Sequence, residues 1–480
     1  MVMHVQELAY DEYEPVVVAR TLAERPGMLL LDSAARGKHG RYSFVAADPF
    51  ALLTGKDGRT QLRFGERERE QRADPWLIMQ SLWEQHRAPH VEGLPPFQGG
   101  LAGYWGYGLA RHLEQLPFPR LDDLELPDLW LGAYDWTIAW DHVERRCRLL
   151  STGLPAEPRE REAYARRRAA EVMQWLATPS RRPSEPHQES GEAPPATIPR
   201  NLLPEWPGIT STFTAEAYEG MVERALEHIY AGDIYQVNLS QRLEAPLRRR
   251  PWELYIALRQ RNPADFAAYL NCGDHAILSA SPERFLRLDG REVETRPIKG
   301  TIARSLDPIE DRLRAEALQV SKKDRAENLM IVDLLRNDLG RVCETGSIHV
   351  PELWSIEGLP TVYHLVSTVR GRLRASLHAP DLLRAAFPGG SITGAPKIRA
   401  MEIIADLEPT ARGPYCGSIG YLSWGGQMDT NIVIRTLVVK DGRVYWQAGG
   451  GIVAESSPAG EYAESLAKAR ALSETILATW

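Results

Sequence analysis

Residues 213–245 read FTAEAYEGMVERALEHIYAGDIYQVNLSQRLEA, and two different periodicities follow one another in this stretch. Thr214 is a potential N-cap, and apolar side chains then recur at helical spacing until Gly232, which predicts an amphipathic helix. Beyond Gly232 apolar and polar side chains alternate, which predicts a strand with one apolar and one polar face. The apolar set is Tyr235, Val237 and Leu239, and the polar set is Gln236, Asn238 and Ser240.

A second stretch, GQMDTNIVIRTLVVKDGRVYWQAGGGIV at residues 426–453, predicts two strands joined at Asp441-Gly442. The dipeptide Asp-Gly between alternating segments is a strong hairpin signal, because both residues accept a positive φ in a tight turn. Helices together with antiparallel strands predict an α+β fold class and argue against a doubly wound parallel sheet.

Bulk properties exclude several kinds of protein. The formal net charge of -7 over 480 residues predicts no general binder of nucleic acid. The four cysteines are scattered without a CxxC pair, which argues against a zinc site and fits a reducing compartment. No apolar run approaches the roughly 20 residues of a membrane helix, and the acidic start differs from a signal peptide. We therefore expect a cytoplasmic protein without a membrane partner.

One segment differs in composition from the rest of the chain. Residues 177–207 are rich in Pro, Ser, Glu and Arg, which predicts a linker or a mobile surface excursion. This segment divides an N-terminal region, 1–176, from a second region, 208–480, and no solenoid repeat occurs in either.

Several common catalytic motifs are missing from the sequence. It contains no GxxxxGK[ST] phosphate loop, no HExxH pair and no GxSxG elbow. The glycine-rich GGLAGYWGYG at residues 99–108 lacks a surrounding strand-turn-helix pattern, so close backbone packing explains it better than nucleotide binding.

Carboxylates occur at helical spacing in two places. In GEYAESLAKARALSETIL, residues 460–477, Glu461, Glu464 and Lys468 share one helix face. This face is either an exposed ion pair or a pair of carboxylates offered to a hard cation such as Mg²⁺. Glu327, which begins the apolar part of a second predicted helix, is either a surface residue or the other half of such a site.

Lys299 in TRPIKGTIAR, residues 295–304, raises a further question of chemistry. An amine attacks only when deprotonated, so a lysine nucleophile needs burial or cationic neighbours to lower its pKa. Pro297 and Ile298 beside it are consistent with a partly desolvated position. Glu283 in SASPERF could supply a proton to a leaving hydroxyl. Physical reasoning alone does not establish this pair.

Taken together, these segments resemble the chorismate-utilising enzymes, which include anthranilate, isochorismate, salicylate and aminodeoxychorismate synthases. The resemblance covers residues 208–480 in order and with family spacing, and extends more weakly into the N-terminal region through LLLDSA and GGLAGYWGYG. It is carried by DRAENLMIVDLLRNDLGRV (324–342), GGSITGAPKIRAMEII (389–404), MDTNIVIRT (428–436) and GGGIVAESSPAGEYAE (449–464). It implies two facing, mainly antiparallel sheets with helices packed outside and the active site between them.

Two positions separate the branches of this family. Anthranilate and isochorismate-forming members usually have alanine where this chain has Lys299, and lysine there marks the aminodeoxychorismate branch. Members that use water have a lysine base where this chain has Gln236, so Gln236 fits ammonia as the nucleophile. The resemblance implies that Lys299 adds at C2 of the ring while Glu283 protonates the leaving 4-hydroxyl, after which ammonia attacks C4 and expels the lysine.

The resemblance also implies a Mg²⁺ cofactor and a set of binding residues. Glu327 and Glu464, helped by Glu461, would hold the metal against the ring carboxylate of chorismate. Tyr415, Arg435 and Gly449 would bind the enolpyruvyl carboxylate, and four residues would lie around the ring carboxylate and metal: Gly300, Thr301, Ser391 and Lys468. His364 matches a family histidine of the active site, although such a residue is more often an ordinary core histidine.

A partner and a second ligand follow from the same resemblance. The sequence holds no GxCxGxQ glutaminase motif, so a separate glutamine amidotransferase subunit would deliver the ammonia. Some family members bind tryptophan near an LLxS segment, and Ser33 in LLLDSA takes the comparable place. Asp32 stands where feedback-inhibited members usually have glutamate, so we expect no strong inhibition by tryptophan. A permanently bound tryptophan, or simply a strand that ends at Ser33, remains open.

Two alternatives accompany this interpretation. An anthranilate synthase component I would also eliminate pyruvate, and Lys299 argues against it. A non-enzymatic descendant that only accompanies a glutaminase should have lost some of Glu283, Glu327, Arg435 and Glu464, and the chain retains all four.

Overall fold

The fold is described from a computed structural model, which covers residues 3–36, 39–178, 198–359 and 362–480. Most of the 177–207 segment lies outside the described residues, so its predicted mobility stays a prediction. Within the described residues, no helix has the length and apolar character needed to cross a bilayer.

In the described residues, helices are interspersed with runs of consecutive strands. The helices are α1 Pro15–Leu22, α2 Pro75–Gln85, α3 Arg161–Ala177, α4 Ala215–Tyr230, α5 Pro251–Arg261, α6 Pro308–Val320, α7 Lys322–Gly340, α8 Ala379–Ala386, α9 Lys397–Leu407 and α10 Pro458–Leu477. Short 3₁₀ turns cover Tyr107–His112 and Gly390–Ile392. The strands are β1 His4–Leu8, β2 Leu29–Asp32, β3 Tyr42–Ala46, β4 Ala51–Lys56, β5 Arg59–Phe64, β6 Arg67–Arg72, β7 Gly100–Trp105, β8 Leu129–Tyr134, β9 Trp136–Asp141, β10 Arg146–Ser151, β11 Asn201–Leu202, β12 Thr210–Ser211, β13 Gln236–Pro246, β14 Phe266–Asn271, β15 His275–Ser281, β16 Arg284–Asp289, β17 Glu292–Thr295, β18 Ile298–Ala303, β19 His349–Gly358, β20 Val362–Arg372, β21 Gly394–Ala395, β22 Ser418–Ser423, β23 Met428–Asn431, β24 Thr436–Lys440 and β25 Arg443–Ile452.

These strands form two sheets. The first, with 13 strands in the described residues, runs β1-β10-β9-β3-β2-β14-β15-β24-β25-β13-β12-β11, with β21 beside β13. The second, with 12, runs β18-β20-β17-β16-β23-β22-β7-β8-β4-β5-β6, with β19 beside β20. Neighbours pair antiparallel, as β13 with β25 and β18 with β20 illustrate. The predicted α+β class with two mainly antiparallel sheets is confirmed.

The core has an inner layer between the sheets and outer layers under the helices. Phe44 and Ala268 of the first sheet meet Tyr104 and Ile419 of the second in one buried cluster. A second cluster lies between the first sheet and outer helices such as α5 and α10, and a third lies under α7 and α8. Both faces of the central strands are therefore buried, which explains runs such as β8 and β9 in which every residue is buried.

The opening stretch folds as its periodicities predict, except that Tyr235 precedes β13 and is 74% exposed, so it does not belong to the buried apolar face. Thr214 accepts a hydrogen bond from the Ala217 amide and begins α4, and Gly232 follows its end with φ +81°. In β13, Val237 and Leu239 pack under α4 and α9. Gln236 and Ser240 on the opposite face are also buried, so this polar face is directed into the protein.

The stretch at residues 426–453 requires a correction. The Asp441-Gly442 turn is confirmed, with φ +48° and +70°. The segment before it is two strands in different sheets, β23 in the second and β24 in the first. The chain crosses between the sheets at residues 432–435, where the Ile434 amide bonds to the Ile432 carbonyl and Arg435 takes φ +53°. The prediction of one continuous strand was wrong, because alternation does not show which sheet a residue pairs with.

Strands from the N-terminal and C-terminal regions pair with each other in both sheets. β2 pairs with β14, and β7 pairs with β22. The end of the intervening segment is also built into the first sheet, where Asn201 pairs with Ser211 and the side chains of Leu203 and Trp206 are buried. The two sequence regions therefore share one core, and the boundaries drawn between them remain a prediction.

Candidate active site

Lys299 lies on β18, an edge strand of the second sheet. The pairing of β18 with β20 shifts register between Ile298 and Thr301, and Gly300 takes φ +81° in this bulge. A Cβ at Gly300 would lie 2.9 Å from Asp324, so both conformation and space require glycine here. The bulge places the half-buried Lys299 so that its Nζ donates a hydrogen bond to the carbonyl of Ser391, at 2.9 Å.

Glu283 approaches the same serine from another element. It lies between β15 and β16 and is 4% exposed. Its carboxyl accepts a hydrogen bond from the Ser391 hydroxyl at 2.7 Å. Ser391 therefore joins the lysine through its carbonyl and the glutamate through its hydroxyl, which places the two predicted catalytic residues in one buried group.

Burial shifts both titrating groups toward their neutral forms. It raises the pKa of Glu283 to about 7, although Ser391 and Lys299 oppose the rise. Desolvation likewise lowers the pKa of Lys299, and the positive charge of Lys468 acts in the same direction while Glu327 opposes it. A neutral amine can attack an electrophilic carbon, and a protonated carboxyl can donate to a leaving oxygen, so the pair suits a substitution that expels a hydroxyl group as water.

His364 and Thr301 form the wall beside Lys299. The two residues are register partners between β18 and β20, and the Thr301 hydroxyl lies 2.8 Å from Nδ1 of His364. Burial, aided by the charge of Arg435, lowers the pKa of His364 to about 4, so the imidazole is neutral at neutral pH. The histidine is thus buried and bonded, which is compatible both with a core role and with contact to a ligand.

Arg435 is a half-buried cation whose charge is not neutralised by an ion pair in the described residues. Its Nη1 donates to the backbone carbonyl of Lys468 at 3.1 Å, and burial lowers its pKa. The positive charge of this guanidinium lowers the pKa of His364, and the phenol of Tyr415 raises the pKa of Arg435. A half-buried guanidinium without a carboxylate partner is suited to bind an anionic ligand.

Two carboxylates and a lysine lie around the glycine run of β25. A Cβ placed on Gly450 would lie 2.9 Å from Oε2 of Glu461, 3.5 Å from Oε1 of Glu464 and 3.7 Å from Nζ of Lys468. The spacing predicted for α10 is therefore confirmed, and its acidic face meets the sheet at Gly450. Lys468 also pairs with Glu464 at 2.7 Å.

The charges of these carboxylates act on one another. Burial raises the pKa of Glu461, and the neighbouring charge of Glu464 adds to the rise. Burial also raises the pKa of Glu327 on α7, where Glu464 is again among the groups that raise it and Lys299 lowers it. Burial would raise the pKa of Glu464 too, but Lys468 brings it below its ordinary value.

This arrangement fits a hard cation that completes its coordination with water and substrate. In residues 3–36, 39–178, 198–359 and 362–480, no three His, Cys, Asp or Glu side chains are close enough to form a ready metal centre. Oε2 of Glu461 is buried without a hydrogen-bond partner and points to the same spot as Glu464. Mg²⁺ typically takes only one or two protein carboxylates, so the residues fit this ion without a preformed cage.

Gln236 is fully buried on the polar face of β13, and neither of its amide atoms has a hydrogen-bond partner in the described residues. Its Nε2 would lie 2.2 Å from a Cβ on Gly451, so the amide rests against the glycine run. A buried amide without partners is costly unless a ligand satisfies it. A polar ligand beside Gly451 would satisfy this amide, and the role of Gln236 in substrate binding stays a prediction.

Gly449 and Gly450 have different structural reasons to be glycine. A Cβ on Gly449 would lie 1.8 Å from the Leu239 carbonyl, which belongs to the paired strand β13. Gly449 is thus required by the close approach of two strands. Gly450 instead faces the carboxylates, and the sequence had not singled it out. The triple glycine in a strand was the available signal for close approach of a ligand.

Ser33 lies outside this group of residues. It follows β2, its hydroxyl donates to the Tyr42 carbonyl at 2.6 Å, and its amide donates to the Ser43 hydroxyl at 3.1 Å. The preceding Asp32 is paired with Arg259 on α5 at 2.6 Å. The tryptophan site stays a prediction.

Comparison with known proteins agrees with this geometry. The profile of the chorismate binding enzyme family matches residues 28–474. Aminodeoxychorismate synthase component 1 of Klebsiella aerogenes is 44% identical over 449 residues, covering 93% of both chains. Anthranilate synthase component 1 of Streptomyces coelicolor is 42% identical over 471 residues, covering 97% of this chain and 87% of the relative. The crystal structure of anthranilate synthase component I from Streptococcus pneumoniae superposes with a TM-score of 0.75 at 32% identity, covering 90% of this chain and 92% of that chain.

Proposed function

The chain belongs to the chorismate-binding enzymes, and from this premise we propose that it aminates chorismate with ammonia to give 4-amino-4-deoxychorismate. Overall identity does not choose between the two activities named among its relatives, because 44% and 42% are nearly equal. The observation that carries the proposal is Lys299, which shares Ser391 with Glu283. A half-buried amine with a lowered pKa, beside a carboxyl with a raised pKa, has a use in the C4 amination and none in a reaction where ammonia attacks the ring directly.

The reaction proceeds through two allylic displacements. The lone pair of the neutral Lys299 amine forms a bond to C2, both conjugated double bonds of the ring shift, and the C4–O bond breaks as Glu283 donates its proton to form water. Ammonia then attacks C4, both double bonds shift back, and the C2–N bond breaks to return Lys299. The new ammonium group loses a proton, which restores Glu283. Covalent catalysis replaces one difficult step by two easier ones, and the enolpyruvyl ether stays intact.

The remaining residues of the site bind and orient the substrate. Arg435 and Tyr415 would hold the enolpyruvyl carboxylate beside Gly449. Thr301, His364 and Lys468 would surround the ring carboxylate, with Gly300 and Ser391 contributing backbone. The unpartnered amide of Gln236 would contact the ligand without acting as a base, since an amide does not accept a proton at neutral pH.

Mg²⁺ is part of this proposal. Glu327 and Glu464, with Glu461, would hold it, and the bound ion would neutralise the charge of the ring carboxylate. Support comes from the unpartnered Oε2 of Glu461 and from the mutual effect of the three carboxylates on their pKa values.

A glutaminase partner is proposed for the supply of ammonia. The 480 residues contain no GxCxGxQ motif, and the Klebsiella aerogenes relative is named as a first component. The partner would be a separate glutamine amidotransferase subunit in the same compartment, which we propose is the cytoplasm.

Product analysis tests the proposal directly. The purified protein is incubated with chorismate, Mg²⁺ and ammonium at mildly alkaline pH, and the products are identified by mass spectrometry. We expect an aminated product that retains the enolpyruvyl group and yields p-aminobenzoate only after a separate lyase is added. Anthranilate with released pyruvate would assign the chain to the other activity of the family and show that Lys299 does not decide the reaction.

A further inference from the structure

Trp354 adopts a backbone conformation that is unusual for its residue type. It lies in β19, where the pairing with β20 shifts register between Glu352 and Ser355, and its φ is +57°. An aromatic residue with a positive φ is a steric outlier, because its Cβ crowds the adjacent backbone. Such strain persists only where surrounding contacts hold the residue, and it occurs most often at functional sites.

The indole of Trp354 holds the first turn of α7. The guanidinium carbon of Arg325 lies 3.7 Å from the centre of the indole ring, which is a close cation–π contact. The indole Nε1 donates a hydrogen bond to the backbone carbonyl of the same arginine at 3.2 Å. One side chain therefore contacts both ends of Arg325, which precedes Glu327 by two positions.

The backbone of Trp354 makes a second connection to α7. Its amide donates to the Ser367 hydroxyl at 3.1 Å, and that hydroxyl donates to Oδ1 of Asn328 at 2.5 Å. Asn328 is fully buried and follows Glu327 directly. The amide of Ser367 also donates to the Pro297 carbonyl at 3.2 Å, two residues before Lys299.

Glu327 has little else to fix it. Its ion pair in the described residues is with Lys323, at 3.9 Å on the same helix, and that lysine side chain is 55% exposed. The charge of Lys299 also acts on Glu327, without an ion pair within 4 Å. The residues on both sides of Glu327 are instead held by Trp354, directly at Arg325 and through Ser367 at Asn328. The direction of the carboxylate therefore depends on how α7 is seated against β19 and β20.

We propose that Trp354 is a positioning residue that sets the place of the Glu327 carboxylate by clamping the first turn of α7 to the sheet. This inference rests on the proposed role of Glu327 in holding Mg²⁺. The positive φ of Trp354 is the consequence of a bulge that turns the indole toward Arg325. The clamp acts on cation binding and, through it, on chorismate binding, and it leaves the chemistry of Lys299 unchanged once the substrate is bound.

Binding of Mn²⁺, measured by electron paramagnetic resonance on the full-length protein without ammonia, tests the clamp. Three variants are compared with the wild type: Trp354→Ala, which removes ring and donor; Trp354→Phe, which keeps a ring and removes the Nε1 donor; and Ser367→Ala, which breaks the second connection. Leu353→Ala is the matched control, because Leu353 is adjacent on the same strand and 41% exposed.

We expect Trp354→Ala to weaken Mn²⁺ binding about tenfold, within the range seen for residues that orient metal ligands. Trp354→Phe and Ser367→Ala should each have a smaller effect in the same direction, and Leu353→Ala should have none. The KM for chorismate should rise with the metal dissociation constant, while kcat at saturating metal and chorismate stays close to wild type.

Several outcomes would overturn the clamp. If Trp354→Ala and Leu353→Ala both bind Mn²⁺ as tightly as the wild type, the indole does not position Glu327. If both variants lose Mn²⁺ binding to the same extent, the loss reflects general destabilisation and not the clamp. If all variants fold as judged by their thermal midpoints and only kcat falls, the indole acts on the chemistry and positioning is the wrong role. If the wild type binds Mn²⁺ but does not aminate chorismate, the proposed function is wrong while the clamp still stands. A wild type that binds no Mn²⁺ would remove the metal assignment and the clamp together.

Discussion

In the proposed reaction, Lys299 and Glu283 are productive only in a combination of protonation states that burial favours. The amine must be neutral and the carboxyl protonated, and burial shifts both pKa values in the required directions. Neither residue could take this form on an exposed surface, where the lysine would be charged and the glutamate ionised. Ser391 keeps the two side chains in one buried group through its carbonyl and its hydroxyl.

The rate of lysine adduct formation should therefore show a break near pH 7. When the pH rises above the pKa of Glu283, which is about 7, the fraction of protein with a protonated Glu283 begins to fall tenfold per pH unit. A plot of log rate against pH should therefore bend near pH 7, and its slope should decrease by one there. The measurement is adduct mass against time at each pH, without ammonia, whose own titration would interfere. Glu283→Gln, with no titrating proton, should be slower and lose the break, and a break that persists in this variant would exclude Glu283 as its source.

Removal of the amine should abolish the covalent intermediate. We expect Lys299→Ala, and equally Lys299→Arg, to show no mass increase with chorismate, because neither offers a neutral amine. Chorismate should still bind to Lys299→Ala, since Arg435 and the carboxylate cluster are intact, and slow formation of anthranilate with ammonia becomes possible. Intact-protein mass spectrometry and product analysis check both points. Amination at C4 by Lys299→Ala at the wild-type rate would disprove the nucleophilic role.

Adjacent glycines in β25 should respond to substitution in different ways. Gly449→Ala places a Cβ 1.8 Å from the Leu239 carbonyl, so the pairing of β13 with β25 must shift and the protein should lose stability. Gly450→Ala meets Oε2 of Glu461 at 2.9 Å, at the end of a side chain that can move. It should keep the thermal midpoint near wild type and lose most Mg²⁺-dependent chorismate binding. Thermal unfolding and calorimetric titration separate the two effects, and a folded Gly450→Ala variant with normal binding would contradict the placement of the site.

How far the site could be predicted from the sequence differs from residue to residue. Lys299 and Glu283 belong to continuous motifs, so local sequence was enough to single them out. Gly450 and Trp354 were missed, because one matters through carboxylates on α10 and the other through the first turn of α7. Such contacts depend on which strand a helix packs against, and no short-range pattern encodes that. The indole of Trp354 stands in a stretch without any motif, and only its φ distinguishes it.

At the level of secondary-structure elements, periodicity predicted what each segment forms but not where it goes. The helix beginning at Ala215 and the turn at Asp441-Gly442 followed directly from capping and turn chemistry. The crossing at residues 432–435 did not, since the flanking residues alternate like one strand. A crossing is determined by the pairing of each half with distant strands, β23 with β16 and β24 with β15. The crossing also places Arg435 so that its guanidinium reaches the carbonyl of Lys468 on α10.

The end of α9 is held by a buried ion pair whose removal should be costly. Arg412 pairs with Glu408 at 2.7 Å, and both side chains are at most 5% exposed. Arg412 also donates to the carbonyls of Ile392 and Asn238, which joins α9 to the 3₁₀ turn and to β13. Arg412→Met should lower the free energy of unfolding by about 3–5 kcal/mol, because Glu408 is left buried without its counter-charge.

Urea unfolding measures this change, and the double variant Glu408→Gln with Arg412→Met is its control. The double variant should recover part of the loss, since the unpaired charge is gone. If the double variant is no more stable than Arg412→Met alone, the cost comes from lost packing and hydrogen bonds of the arginine and not from the stranded carboxylate.

In the whole molecule, the two halves of the sequence are joined by strand pairing. β14 and β22 come from the C-terminal region, yet their neighbours β2 and β7 come from the N-terminal region. The inner core likewise combines Phe44 and Tyr104 with Ile419 and Tyr445. Composition predicted a boundary at 177–207, but composition reports where a chain has little to bury and does not report which strands pair.

A fragment of residues 208–480 should consequently fail to fold alone, although it carries every residue of the proposed site. It would expose the edges of β14 and β22 together with one side of the inner core, and such exposed edges and apolar faces promote aggregation. We expect the fragment to be insoluble or without cooperative urea unfolding, and co-expression with residues 1–207 to restore a complex that binds chorismate. The intact chain should unfold in one transition, because the N-terminal and C-terminal regions cannot separate without breaking both sheets. A soluble 208–480 fragment with a sharp transition and chorismate binding would show instead that the catalytic region is an independent domain, with the N-terminal region docked onto it.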